Sequence, residues 1–145
     1  MKKLIGLCLL AILAGCAGNS SDTTVPSERC IQLNFDPSAK MQTLHLKDLS
    51  IELSPLYDKN RGIIKAKGQI ILDQDKVPAS ANVYNFKMKA YLLDKDYKIL
   101  EKLSIRGTSV KSADKDIPFE LSFSYKSQYA YITFDYAFDF NYSFT

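Results

Sequence analysis

Few side chains in this sequence have the chemistry to act as a nucleophile, a base or a metal ligand. There are three cysteines, Cys8, Cys16 and Cys30, and one histidine, His45. A Ser/His/Asp or Cys/His arrangement would have to use His45, yet no nucleophile elbow or other local signature accompanies it. It lies between Leu44 and Leu46 and reads as a solvated side chain on a strand. One histidine and one free thiol cannot close a four-ligand zinc site. Three acidic turns, Asp73 to Asp75, Asp94 to Asp96 and Asp114 to Asp116, include or adjoin a lysine and lack the length and distal Glu of an EF-hand loop. Turn chemistry accounts for these aspartates. Gly62, Gly68 and Gly107 are isolated, so no phosphate-cradling loop can be assembled from them. The residues predict no catalytic centre, no metal and no cofactor.

Cys16 is the exception. Lys2 and Lys3 precede an apolar run from Leu4 to Leu13, and Leu13-Ala14-Gly15-Cys16 follows. A basic start, a short apolar segment and small residues before a cut form a secretory signal, and the run is too short to span a bilayer as a mature helix. Leu13 to Cys16 resembles the bacterial lipobox. That resemblance implies a diacylglyceryl group on the Cys16 sulfur, cleavage after Gly15 and a third acyl chain on the new amino group. Ala17 stands where the inner-membrane retention signal of lipoproteins has Asp, so the resemblance points to the outer membrane and a periplasmic domain, with the cell surface as the other location.

Removal of residues 1–15 leaves 17 of the 19 basic residues against 16 acidic ones. A near-neutral chain lacks the basic footprint of a nucleic-acid binder. Membrane attachment then rests on the acyl chains, each buried methylene contributing roughly 0.8 kcal/mol. With Cys8 in the signal and Cys16 acylated, Cys30 has no internal partner and reads as a small half-buried residue at the start of the first strand.

The remaining sequence must position whatever surface the protein uses. Residues 16–29 are the lipidated Cys and a polar tether broken by Pro26, predicted to be flexible. From Cys30 the apolar period is two. Ile31, Leu33 and Phe35 share one phase, and Leu44 and Leu46 share a phase that slips at Lys47-Asp48 before Leu49, Ile51 and Leu53. Met41 to Asp48 is the one stretch that also fits a helical turn. Tyr84, Phe86, Met88, Ala90 and Leu92 are expected on one face, and Ile99 to Ile105 pairs with that strand as a hairpin. The spacing predicts an all-β fold, a single immunoglobulin-like β-sandwich of about seven strands over residues 30–145.

Phe134, Tyr136, Phe138, Phe140, Tyr142 and Phe144 share one phase against Asp135, Ala137, Asp139 and Asn141. The first half of this stripe is expected in the core. Past Phe138 it is expected to outrun the core, which makes Phe138, Phe140, Tyr142 and Phe144 the candidate partner surface. An outer-membrane barrel also ends in an aromatic strand, but Lys65, Lys67, Lys87 and Lys89 interrupt any lipid-facing band.

Gly68-Gln69-Ile70, Tyr91 to Asp96, Ile99-Leu100, Pro118 to Leu121 and the aromatic Tyr129 to Tyr136 together resemble the FxLYD type of bacterial domain, related to the late-embryogenesis-abundant β-sandwich. Ala90 and Leu93 stand where that pattern has Phe and Tyr. The resemblance implies an immunoglobulin-like fold and no catalytic residues. The function expected is a non-enzymatic binding or assembly module of the envelope, with a protein partner. The alternative is a carrier of a small apolar ligand between the sheets.

Overall fold

The computed structural model describes residues 23–36, 38–58, 62–78, 80–105 and 116–142, and of residues 55–58 and 142 the backbone alone. A 3-10 turn, Ser27–Arg29, precedes eight strands: β1 Ile31–Gln32, β2 Gln42–His45, β3 Leu49–Asp58, β4 Ile63–Leu72, β5 Ala81–Leu93, β6 Ile99–Ser104, β7 Asp116–Ser124 and β8 Tyr131–Tyr142. They form two antiparallel four-stranded sheets, ordered β1-β8-β5-β6 and β2-β3-β4-β7. The all-β sandwich read from the spacing is the fold observed. Met41 to Asp48 contains strand β2 rather than a helical turn, because its Leu44 must sit on the inward side beside Ile51.

Period-two patterning makes these strands two-faced, and the apolar faces meet. β7 alternates without a break, with Ile117, Phe119, Leu121 and Phe123 buried between exposed neighbours. Ile51, Leu53, Ile64, Ile70, Ala90, Leu92 and Ile132 have no accessible surface. Edge-on ring contacts join the sheets: Phe119 meets Phe134 at 5.8 Å between centroids, and Phe123 meets Tyr129 at 6.0 Å. Gly68 lies opposite Phe119, and a Cβ there would stand 2.3 Å from the Phe119 ring, so only glycine leaves room for it.

β5 departs from the expected phase. Its pairing with β8 shifts by one residue between Tyr84 and Lys87, where Asn85 takes a positive φ of 53°. This bulge turns Val83 inward and leaves Tyr84 45% exposed, although Tyr84 shares its parity with Met88, Ala90 and Leu92. The Asn85 side chain donates to the Asp139 carboxylate at 3.0 Å. Asparagine tolerates the left-handed region better than a branched residue would.

The chain enters at one pole of the sandwich. Thr24 bridges Lys98, and Val25 N–H donates to the Tyr97 carbonyl at the β5–β6 turn. Thr23 to Val25, ahead of the boundary expected at Cys30, therefore already contact the sandwich. From Tyr131, beside Leu93, β8 runs to Tyr142, beside Ala81, at the opposite pole. Twelve residues at roughly 3.4 Å each place these ends about 40 Å apart.

Candidate interaction surface along β8

β8 has two environments. At its start β1 pairs with Tyr131 and Ile132, and the Thr133 hydroxyl donates to the Arg29 carbonyl. From Phe134 onward that side of β8 has no strand partner among the described residues, while the other side pairs with β5 as far as Tyr142. The facing sheet runs out over the same stretch. Phe134 is 1% exposed, Tyr136 and Phe138 are half-buried and Phe140 is 39% exposed.

The inward aromatics stack along the strand. Tyr136 and Phe138 rings lie 6.0 Å apart, Phe138 and Phe140 6.4 Å, and Phe86 of β5 stacks on Phe138 at 5.9 Å. The bulge at Asn85 brings Phe86 into this ladder. Val77, 4% exposed, belongs to the core and lines a hollow with Phe138 and Phe140. The β4–β5 loop that carries Val77 is tied down by Lys76, which donates to the Lys47 carbonyl at 3.0 Å.

Tyr136 anchors the inner face to the β2–β3 turn. Its hydroxyl donates to the Asp48 carboxylate at 3.1 Å and accepts from the Asp48 amide at 3.2 Å. Burial pushes the Tyr136 phenol above its ordinary pKa, so it stays a protonated donor throughout the neutral range. Two hollows meet at this bond. One, of about 500 Å³, is lined by Arg29, His45, Lys47, Asp48, Asp135 and Tyr136. The other, of about 240 Å³, is lined by Asp48, Lys76, Val77, Tyr136, Phe138 and Phe140 among others. Gln42 of β2 donates to the Gln32 carbonyl of β1, which sets the edges of the two sheets side by side.

His45 lines the first hollow as an exposed side chain whose Nδ1 lies 2.9 Å from the Ser50 hydroxyl. The two are directly opposed on β2 and β3. No carboxylate bonds to the imidazole among the described residues, so nothing there fixes its tautomer for base catalysis. Cys30 is half-buried, its sulfur donates to the Pro26 carbonyl at 3.4 Å, and burial raises its pKa. A thiol held protonated is a poor nucleophile. No group of three or more His, Cys, Asp or Glu able to hold a metal occurs among the described residues.

Of the residues singled out from the sequence, Phe138 and Phe140 fall on one continuous inner face. For Tyr142 the structure places the backbone at the end of β8, and Cys16 and Phe144 lie outside the described residues. Sequence reasoning missed Asp48, Arg29, Lys76 and Val77, which reach this surface from three separate loops. A signal for the bulge was present: Ala81 and Val83 have one parity and Met88, Ala90 and Leu92 the other within a single strand. No protein-family model matches this chain, and neither does any curated protein or solved structure.

Proposed function

We propose that this protein is a lipoprotein acylated at Cys16, held in the outer membrane with its domain in the periplasm, and that the β-sandwich is a non-enzymatic binding or assembly module. The observation that carries the reading is the second half of β8, where an aromatic face continues past Phe134 and, among the described residues, no strand adds to the side opposite β5. A strand side left without a partner is a ready template for another chain, and alternate side chains supply the selectivity. Thr23 to Val25 lie at the pole opposite Tyr142. Anchoring through Cys16 would therefore turn the aromatic end away from the membrane. The two-sheet fold is also what the likeness to the FxLYD domains implies.

Two features favour a module over a carrier or an enzyme. Ring contacts at 5.8 and 6.0 Å fill the space between the sheets where a carrier would hold its ligand. The His45–Ser50 pair lacks an orienting carboxylate. The test is in-cell crosslinking of the full-length protein, followed by capture and mass spectrometry, in parallel with Phe140→Asp and Cys16→Ala. The expected result is one dominant envelope protein, lost in Phe140→Asp, and loss of membrane partitioning in Cys16→Ala. A partner unaffected by Phe140→Asp, or none, would overturn the module reading. Unchanged partitioning of Cys16→Ala would overturn the anchor.

A further inference from the structure

Large apolar side chains left in solvent are not spread evenly over the sandwich. Among the described residues they are Met41, Tyr84, Ile99, Leu100, Tyr125 and Phe140. Tyr84 and Phe140 belong to the far pole, where β5 begins and β8 ends. The other four gather toward the pole at which Thr23 meets the domain. Ile99 donates its N–H to the Thr23 carbonyl, and Leu100 follows it on β6. Tyr125 opens the β7–β8 turn, which the Ala130 N–H holds to the Leu93 carbonyl at the end of β5. Phe35 meets the Tyr125 ring edge-on at 5.3 Å, and Tyr97 stacks on Tyr131 at 4.5 Å. Met41 precedes Gln42, whose side chain bonds the Gln32 carbonyl beside Tyr131. Exposed apolar residues scattered singly need no explanation, but a group at one end of the molecule does.

The charges around this group balance. Lys95, Lys98 and Lys126 stand there with Asp94, Asp96 and Glu101. Asp94 accepts from the Asp96 and Lys98 amides, and Glu101 accepts from Lys126 and Tyr129. The surface therefore offers aliphatic carbon, tyrosine rings and lysine stems without a net field, a composition suited to the boundary between a membrane and water. Chain length says which occupant is within reach. Cys16 precedes Thr23 by seven residues, so at roughly 3.3–3.6 Å per residue its acyl chains enter the bilayer no more than about 25 Å from Thr23. A link that short gives an effective concentration on the order of millimolar, enough for contacts too weak to hold a free domain. We infer that the entry pole, through Ile99, Leu100 and Tyr125, rests on the head-group boundary of the bilayer that holds the Cys16 acyl chains, with zwitterionic lipid as its partner. β8 then points away from the membrane. Asp139, opposite Tyr84, lies eight residues along β8 from Tyr131, which sets Tyr84 about 27 Å beyond the level of Tyr131 at roughly 3.4 Å per residue.

This inference rests on acylation at Cys16 and adds how the domain meets the membrane. The chain contains no tryptophan, so a single one reports its own depth. The test reconstitutes the full-length lipidated protein, as Tyr125→Trp or as Tyr84→Trp, into phosphatidylcholine vesicles with and without bromine on the acyl chains near the head groups. An apolar interfacial face enters roughly 5–10 Å, so Tyr125→Trp emission is expected to fall by about half in the brominated vesicles and Tyr84→Trp emission to stay unchanged. Molar salt, which cuts electrostatic reach to about 3 Å, should leave that difference in place. Adding Ile99→Asp/Leu100→Asp to Tyr125→Trp should remove the quenching while the protein still floats with the vesicles. Equal quenching at the two positions, none at either, its loss in molar salt, or its persistence in the aspartate variant would each overturn the inference and leave the anchor standing. Failure of the full-length protein to float with the vesicles would overturn the anchor, and the inference with it.

Discussion

The two halves of β8 carry one sequence pattern and have two fates. Tyr131 and Ile132 lie between β1 and β5, and Phe134 meets Phe119 of the opposite sheet. Tyr136 to Tyr142 keeps β5 but loses β1, and the residues opposite it come from loops rather than strands. An alternating aromatic stripe therefore does not by itself make a core. The extent of the facing sheet decides where the core ends, and the extent of the neighbouring strand decides where the backbone is open.

The largest expected effect is in the first half. Phe134→Ala removes a fully buried ring from the junction of the sheets and should cost about 3–5 kcal/mol in chemical denaturation. A loss below about 1 kcal/mol would break the distinction between the halves. Gly68→Ala strikes the same junction from the other sheet. A Cβ there must displace the Phe119 ring, and the Glu52 carbonyl 2.8 Å away blocks the other direction. Destabilisation of about 1–3 kcal/mol is expected.

At the boundary between the halves, Tyr136→Phe removes both bonds to Asp48 and should cost about 0.5–1.5 kcal/mol at neutral pH. Burial raises the folded-state pKa of Tyr136 above the unfolded value of about 10. Its contribution is therefore complete below pH 10 and lost as pH rises through the folded pKa. The wild-type protein should lose stability more steeply than Tyr136→Phe above about pH 10, as read from denaturation midpoints. Identical alkaline slopes would remove Tyr136 from the account. The smallest effect on stability belongs to Phe140→Asp, below about 1 kcal/mol, because the ring already meets solvent. The variant costly to folding, Phe134→Ala, and the variant costly to binding, Phe140→Asp, are thus different residues of one strand.

The architecture was legible wherever a single physical rule acted alone. Strict alternation in Ile51 to Leu53 gave an inner face, and the Asp94 to Asp96 turn gave the β5–β6 hairpin. The burial of Phe134 and the exposure of Phe140 follow the expectation that the stripe outruns the core past Phe138. Tyr84 went against expectation because one bulged residue inverts every side chain beyond it, and a period cannot show a slip until the apolar sets on both sides are compared. Asp48, Arg29 and Lys76 could not be read at all. They reach Tyr136 across 60 or more positions of chain, and nothing local in a sequence encodes which loop lies over which strand. The contacts of Thr23 to Val25 were hidden for a related reason: a polar segment packs through backbone hydrogen bonds that leave no mark on composition.

β1 covers β8 at its start only, over Tyr131 and Ile132, and among the described residues no strand takes its place beyond Phe134. Backbone amide hydrogen exchange on the full-length protein tests it most directly, residue by residue along Tyr131 to Tyr142. The account predicts that the amides of Tyr136 to Tyr142 exchange at least about tenfold faster as a group than those of Tyr131 to Phe134. Equal protection along the whole strand would contradict it, because the second half would then be as tightly held as the core.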